Sequence, residues 1–304
     1  MQALPHGFYF FERGWLSSNS LLINVDEQAV LFDTGYVTHS QQLLSLIQLQ
    51  LGSKPLDDVV NTHLHSDHCG GNALLQSHFI HLKTHVPASQ FHDVQAWATS
   101  ALTYELTGQT CTRFKPTHSL STNTTLNFGG VQWQVFASPG HDNDAVIFFD
   151  PEHEILISAD ALWENGMAVV FPEFLEGVGF ENVAATYDLI ESLRPKLVIP
   201  GHGPLFSDVP NALALARRKL HSYQSEPIKH AIYAAKVLIK FKLMELHTVH
   251  SNSFLHWCCN SPLLLKIHQH HFFAMPVSTW IQDLLVELQN RKALLISGDL
   301  ISNI

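Results

Sequence analysis

Cysteine is scarce in this sequence, with four in 304 residues: Cys69, Cys111, Cys258 and Cys259. No two are spaced as CxxC, which excludes a cysteine-only zinc site, and a disulfide framework is not expected at this length. Charge is also sparse. Charged residues make up 14% of the chain against 46% hydrophobic, which excludes a disordered chain and predicts a buried core. No apolar run reaches the roughly 18 residues that span a membrane. The stretch Met1-Gln2-Ala3-Leu4-Pro5-His6 has no basic segment leading into an apolar one, so a secretory signal is not expected and a cytoplasmic location is.

Positive charge is the scarcer sign: 17 Lys and Arg against 27 Asp and Glu, net −10. That balance argues against a chain-wide nucleic-acid surface. The deficit is uneven. Residues 1–211 hold 7 of the 17 cations and 22 of the 27 anions, whereas residues 212–304 hold the other 10 and 5. The shift from −15 to +5 predicts two domains, 1–211 and 212–304, and permits an anionic partner for the second.

Short apolar runs bounded by turn residues predict strands at Phe8–Phe11, Ser20–Val25, Ala29–Phe32, Asp58–Val60, Phe79–Leu82, Leu126–Phe128, Val131–Phe136, Ala145–Phe149, Ile155–Ser158 and Leu197–Ile199. Helical spacing of apolar residues predicts helices over Ser40–Leu51, Ala73–Ser77, most of 87–109, Asn182–Leu193 and most of 212–291, with a short strand or tail over Leu294–Ile301. An α/β layered fold follows, and polar clusters recur where its strands end.

Histidine is abundant, at 21. Three lie within six residues in Thr62-His63-Leu64-His65-Ser66-Asp67-His68-Cys69-Gly70-Gly71-Asn72, beside one carboxylate. Neutral imidazole is the commonest metal-ligating side chain, and such a cluster is costly to bury unless something binds it. Three more groups follow predicted strands: His141 and His202, each after Pro-Gly, and Asp160. Asp33, in Asp33-Thr34-Gly35, reads either as a plain turn residue or as a carboxylate that orients a ligand. Cys69 reads as a small packing residue.

The order His63-x-His65-x-Asp67-His68, then His141, Asp160 and His202, resembles the metallo-β-lactamase superfamily over about residues 5–210. The resemblance implies an αββα sandwich and two metal sites. His63, His65 and His141 would hold one ion, Asp67, His68 and His202 the other, and Asp160 would bridge them. It implies a dinuclear hydrolase in which a hydroxide shared by the two ions attacks a small thioester, ester or lactone, with Asp67 orienting it. Zinc is the expected ion, and iron and manganese accept the same donors. Secreted metallo-β-lactamases commonly carry Cys near the place of Asp160, and the family's diiron flavoproteins carry Glu in place of His65. Antibiotic hydrolysis and oxygen reduction are therefore not expected. The alternatives are a phosphodiesterase or ribonuclease on the same metals, and a mononuclear iron persulfide dioxygenase.

A small-molecule substrate is the expected partner and nucleic acid the secondary one, with no membrane. Residues 87–114 and Trp163, Met167 and Phe171 are expected to wall the pocket or to pack the core. The C-terminal segment resembles the small helical or winged-helix modules of some superfamily hydrolases.

Overall fold

Each central strand is apolar on both faces, and its alternate residues enter two different cores. A computed structural model describes residues 3–175 and 178–304. Met1 and Gln2, from the N-terminal stretch considered above, and Glu176 and Gly177 lie outside the described residues. The first sheet runs in the order β1 (Phe8–Phe11), β2 (Ser20–Val25), β3 (Gln28–Phe32), β4 (Asp58–Val60), β5 (Lys83–Pro87), β6 (His118–Leu120). Its first three strands are antiparallel, and β3 to β6 run parallel. The second sheet contains β7 (Thr124–Phe128), β8 (Val131–Ala137), β9 (Val146–Asp150), β10 (Ile155–Ala159) and β11 (Leu197–Pro200), and only its β10–β11 pair is parallel.

Leu21, Ile23, Val30, Phe32 and Val60 from the first sheet meet Trp133, Val135, Phe148, Ile157 and Ile199 from the second in one core. The intervening residues Leu22, Leu31 and Val59 face the other way. They pack on α1 (Ser40–Leu51) through Leu43, Leu44, Ile47 and Leu51, and on Leu75. Such alternation is what a sheet buried on both faces requires.

Further along come α2 (Ser66–Cys69), α3 (Asn72–His78), α4 (Phe91–Ala96), α5 (Tyr104–Thr107), α6 (Gly179–Leu193), α7 (Val209–Ser225) and α8 (Pro227–Leu246). α6 packs along the loop after β8, where Thr186 Oγ1 donates to the Pro139 carbonyl at 2.9 Å. The layering is αββα. Among the described residues no helix is long and apolar enough to cross a membrane.

The chain divides into two compact units. One holds the residues up to Leu102 and Thr110–His221. The other holds Thr103–Gln109 and Ser222–Ile304. The charge step near residue 211 falls inside α7, which runs through it unbroken. The second unit contains α8, β12 (Thr248–His250), α9 (Ser251–Asn260), α10 (Pro262–His271), α11 (Val277–Asn290), and the hairpin β13 (Leu294–Ser297) and β14 (Leu300–Asn303). Its three strands pair in the order β12-β14-β13, so the stretch 294–301, expected as a short strand or tail, is part of a hairpin turning at Gly298.

Two other expectations are corrected. Phe79–Leu82 is a turn with Ile80 exposed, and the strand is Lys83–Pro87, which places Lys83–His85 in register with Asp58–Val60. Residues 87–109 are not one helix. Left-handed backbone at Trp97 (φ 59°) and Thr103 (φ 62°) breaks them into short pieces, because two such residues cannot continue a right-handed helix.

Candidate metal centre

All the site residues leave strands at one edge of the two sheets. β4 leads into Asn61–Asn72, β8 into His141, β10 into Asp160 and β11 into His202. Asp160 follows a register shift between Ile157 and Ala159, and Ala159 has φ 46°. That left-handed conformation is strained for a residue with a Cβ, and it turns the next side chain off the strand and into the site.

The seven predicted residues converge. Ligand atoms of His63, His65 and His141 lie within 4.8 Å of one another, as do those of Asp67, His68 and His202, two donor sets with no member in common; a third group, His63, His68 and Asp160, overlaps both. In the first set, His63 Nε2 is 3.1 Å from His65 Nδ1, which is 2.8 Å from His141 Nε2. In the second, Asp67 Oδ2 is 3.2 Å from His202 Nε2 and 3.9 Å from His68 Nε2. Asp160 stands between the sets. Its Oδ2 is 3.3 Å from His141 Nε2, and its Oδ1 is 3.4 Å from His68 Nε2 and 3.8 Å from His202 Nε2.

Burial sets the protonation states. It pushes the His63 imidazole well below its ordinary value, and those of His65 and His141 to about 4. These three are neutral at pH 7. Burial also works against a charged His68, but Asp160, Asp33 and Asp67 outweigh it and raise that imidazole well above the ordinary value. Burial opposes ionisation of Asp160 as well, yet His202, His68 and His141 hold it well below the usual carboxylate range.

Three neutral imidazoles turning ring nitrogens toward one point can share few protons, so lone pairs face lone pairs unless a cation lies among them. His68 Nε2 is buried and has nothing nearer than Asp160 Oδ1 at 3.4 Å among the described residues, a weakly satisfied arrangement that a ligand would complete. Nitrogen and carboxylate donors of this kind suit zinc, iron or manganese. The residues present fit two metal ions.

A further ring of contacts aims these donors. Asp33 Oδ2 accepts a 2.7 Å hydrogen bond from His68 Nδ1, and the same carboxylate takes Thr62 N at 2.9 Å and Thr62 Oγ1 at 2.7 Å. Asp33, left open between a turn and an orienting role, is the residue that orients His68. Its φ of 54° shows it is also a turn residue. His63 Nδ1 meets Thr62 Oγ1 at 3.1 Å, His141 Nδ1 donates to the Val169 carbonyl at 2.5 Å, and His65 Nε2 is 3.5 Å from Asp142 Oδ2. Below the motif a buried chain runs from Thr34 Oγ1 to Asn72, from Asn72 to Asn61, and from Asn61 to the His68 carbonyl. Gly70 is there for close approach to the protein itself. A Cβ on it would sit 2.4 Å from Val37 N.

The site carries an aromatic wall. Trp163 Nε1 donates to Asp160 Oδ1 at 3.2 Å. Phe171 lies edge-on to His65, with ring centroids 5.3 Å apart. Trp15, from the β1–β2 loop, stacks on His202 (5.2 Å, 9°) and meets Trp163 edge-on. A shallow cleft opens beside His141 and Asp160, with Met167, Val183 and Tyr187 among its lining. No residue of 87–114 lines it. Of the missed residues, Trp15 carried no motif, whereas Asp142 could have been found beside His141.

The profile of the metallo-beta-lactamase superfamily matches residues 13–202. The chain belongs to the metallo-beta-lactamase superfamily. It is therefore a metal-dependent hydrolase. It is 27% identical over 202 residues to a metallo-beta-lactamase type 2 of Bacillus sp. (strain 170), covering 64% of this chain and 70% of that one. It is 27% identical over 216 residues to a probable hydroxyacylglutathione hydrolase of Schizosaccharomyces pombe, covering 69% and 70%. A metallo-beta-lactamase family protein of Thermus thermophilus shares the fold over 99% of this chain and 100% of its own, with TM-score 0.60 and 18% identity.

Proposed function

We propose that this superfamily member is a dinuclear hydrolase of a small thioester, ester or lactone. The observation that carries the reading is the placement of Asp160, with one carboxylate oxygen toward His141 and the other toward His68. A carboxylate so divided suits a bridge between two cations. His63, His65 and His141 would hold one ion, and Asp67, His68 and His202 the other, with zinc the expected metal. When bound, such ions lower the pKa of water to about 7 and polarise a carbonyl oxygen.

The chain's own residues supply the rest. Asp160 lies between the two donor sets, and Asp67, beside His202 and His68, would accept a hydrogen bond from the attacking water and orient it. Trp15, Trp163 and Phe171 screen the donors from solvent, which strengthens electrostatic interactions there. The likeness to a probable hydroxyacylglutathione hydrolase supports a thioester. A full second donor set supports two metals over the single iron of a persulfide dioxygenase.

The test is metal stoichiometry together with a substrate panel of S-lactoylglutathione, a lactone and bis-p-nitrophenyl phosphate. Two divalent ions per chain and turnover of the first or second compound are expected. Turnover of the phosphodiester alone would make the protein a phosphodiesterase, and a single iron per chain would overturn the dinuclear reading.

A further inference from the structure

Cys69 and Cys111 are 42 residues apart in sequence, yet their sulfurs are 3.8 Å apart. Cys69 is fully buried and Cys111 partly exposed. Cys69 is the last residue of α2, the single turn that carries Asp67 and His68. Its thiol lies against the backbone carbonyls of His65 (3.3 Å) and Leu64 (3.6 Å).

We propose that Cys69 and Cys111 are a modification site: a dithiol that peroxide converts to a reversible disulfide, displacing Asp67 and His68. Cys111 is the thiol a solvent oxidant reaches. Its sulfur attacks one peroxide oxygen, the O–O bond breaks, and a sulfenic acid and one water result. The Cys69 sulfur then attacks the sulfenic sulfur, the S–OH bond breaks, and the hydroxyl leaves as water with the Cys69 proton. Two thiols lose two hydrogens, and one peroxide becomes two waters. The chemistry needs a sulfenic acid with a second thiol close by, and the 3.8 Å contact supplies it.

The bond has a mechanical consequence. A disulfide holds its sulfurs about 2.05 Å apart, so the pair must close by roughly 1.8 Å from its 3.8 Å contact. The His68 carbonyl of the same turn is anchored by Thr34 N at 2.7 Å, Thr34 Oγ1 at 3.2 Å and Asn61 Nδ2 at 3.1 Å, so closing the sulfur pair pulls the α2 turn against these bonds. Oxidation also removes the thiol hydrogen that faces the His65 carbonyl. The strain therefore falls on the turn that aims Asp67 and His68.

Disulfide formation is independent of the metal reading, while the displacement rests on Asp67 and His68 being ligands. The experiment treats the folded, metal-loaded protein with hydrogen peroxide and digests it without reducing agent. Mass spectrometry should find the Cys69 and Cys111 peptides joined and lighter by two hydrogens, and separated again by dithiothreitol. A chromogenic chelator should register release of one ion per chain from the oxidised protein, and none from Cys111→Ser treated in the same way. Cys111 oxidised to sulfinic acid beside an intact Cys69 thiol would overturn the modification site. A joined pair with both ions retained, or equal metal loss from Cys111→Ser, would overturn the displacement. Reduced protein that binds no metal would overturn the proposed function and leave the peptide result standing.

Discussion

Asp33 holds His68 Nδ1 at 2.7 Å and so turns His68 Nε2 toward Asp160, 3.4 Å away. Asp33 and His68 lie 35 positions apart, beyond the ends of adjacent parallel strands. The replacement Asp33→Asn preserves shape but removes the charge that fixes the imidazole. Affinity for the second ion should fall about 10- to 100-fold, while the first ion, on His63, His65 and His141, is retained. Metal titration monitored by calorimetry checks this. Equal weakening of both ions would count against a role confined to His68.

Asp160→Ala removes the carboxylate whose two oxygens are divided between His141 and His68. Turnover of the best substrate should drop about a hundredfold or more. Steady-state kinetics on metal-loaded protein provides the measurement, and wild-type turnover would refute the mechanism.

Gly201 admits no side chain. A Cβ there would lie 2.1 Å from Asp160 Oδ1 and 3.0 Å from the Ala159 carbonyl carbon. Gly201→Ala should destabilise the fold by about 1–3 kcal/mol through overpacking and weaken metal binding with it. Denaturant unfolding of apo and loaded protein separates the two effects.

The buried histidines predict a pH optimum for the apoprotein. His63, His65 and His141 have folded-state values below the ordinary 6.5, the latter two about 4. Below about 6.5 the unfolded chain binds protons that the folded chain refuses, so stability falls as pH drops from about 6.5 toward 4. His68 is raised. Its contribution is full below about 6.5 and is lost as pH climbs through its folded value. The thermal midpoint of chelator-treated protein should therefore peak near about pH 6.5 and fall on both sides. A midpoint flat between about pH 4 and 6.5 would contradict the assignment of three neutral imidazoles.

Trp15 is 58% exposed and stacks on His202 from outside the core. Trp15→Ala should leave stability close to wild type. It should raise KM about 2- to 10-fold through loss of an aromatic contact surface, with kcat nearly unchanged. A fall in kcat at constant KM would show that the ring positions His202 instead.

Local pattern was enough for most of the first unit. Apolar spacing marks α1 at its observed limits, and short apolar runs mark β1 and β2 likewise. It failed where a distant partner decides. Phe79–Leu82 is the more strand-like tetrapeptide, but Lys83–His85 pairs with β4. β6 has three residues, two of them exposed, too few for a period to show. The breaks at Trp97 and Thr103 carry no Gly or Pro, so nothing local announces them.

The sequence by itself determined the chemistry of this protein. Histidine and carboxylate donors in one order, each at a strand end, are enough to specify what could be bound, because donor type follows from residue identity. Only the tertiary structure decided which way each imidazole faces and what surrounds it. Asp33 reaching His68, Val169 accepting from His141, Trp15 lying on His202 and Cys111 touching Cys69 all join residues far apart in the chain. Their contacts exist because two sheets pack face to face and bring strand ends to one edge, and no local periodicity encodes that.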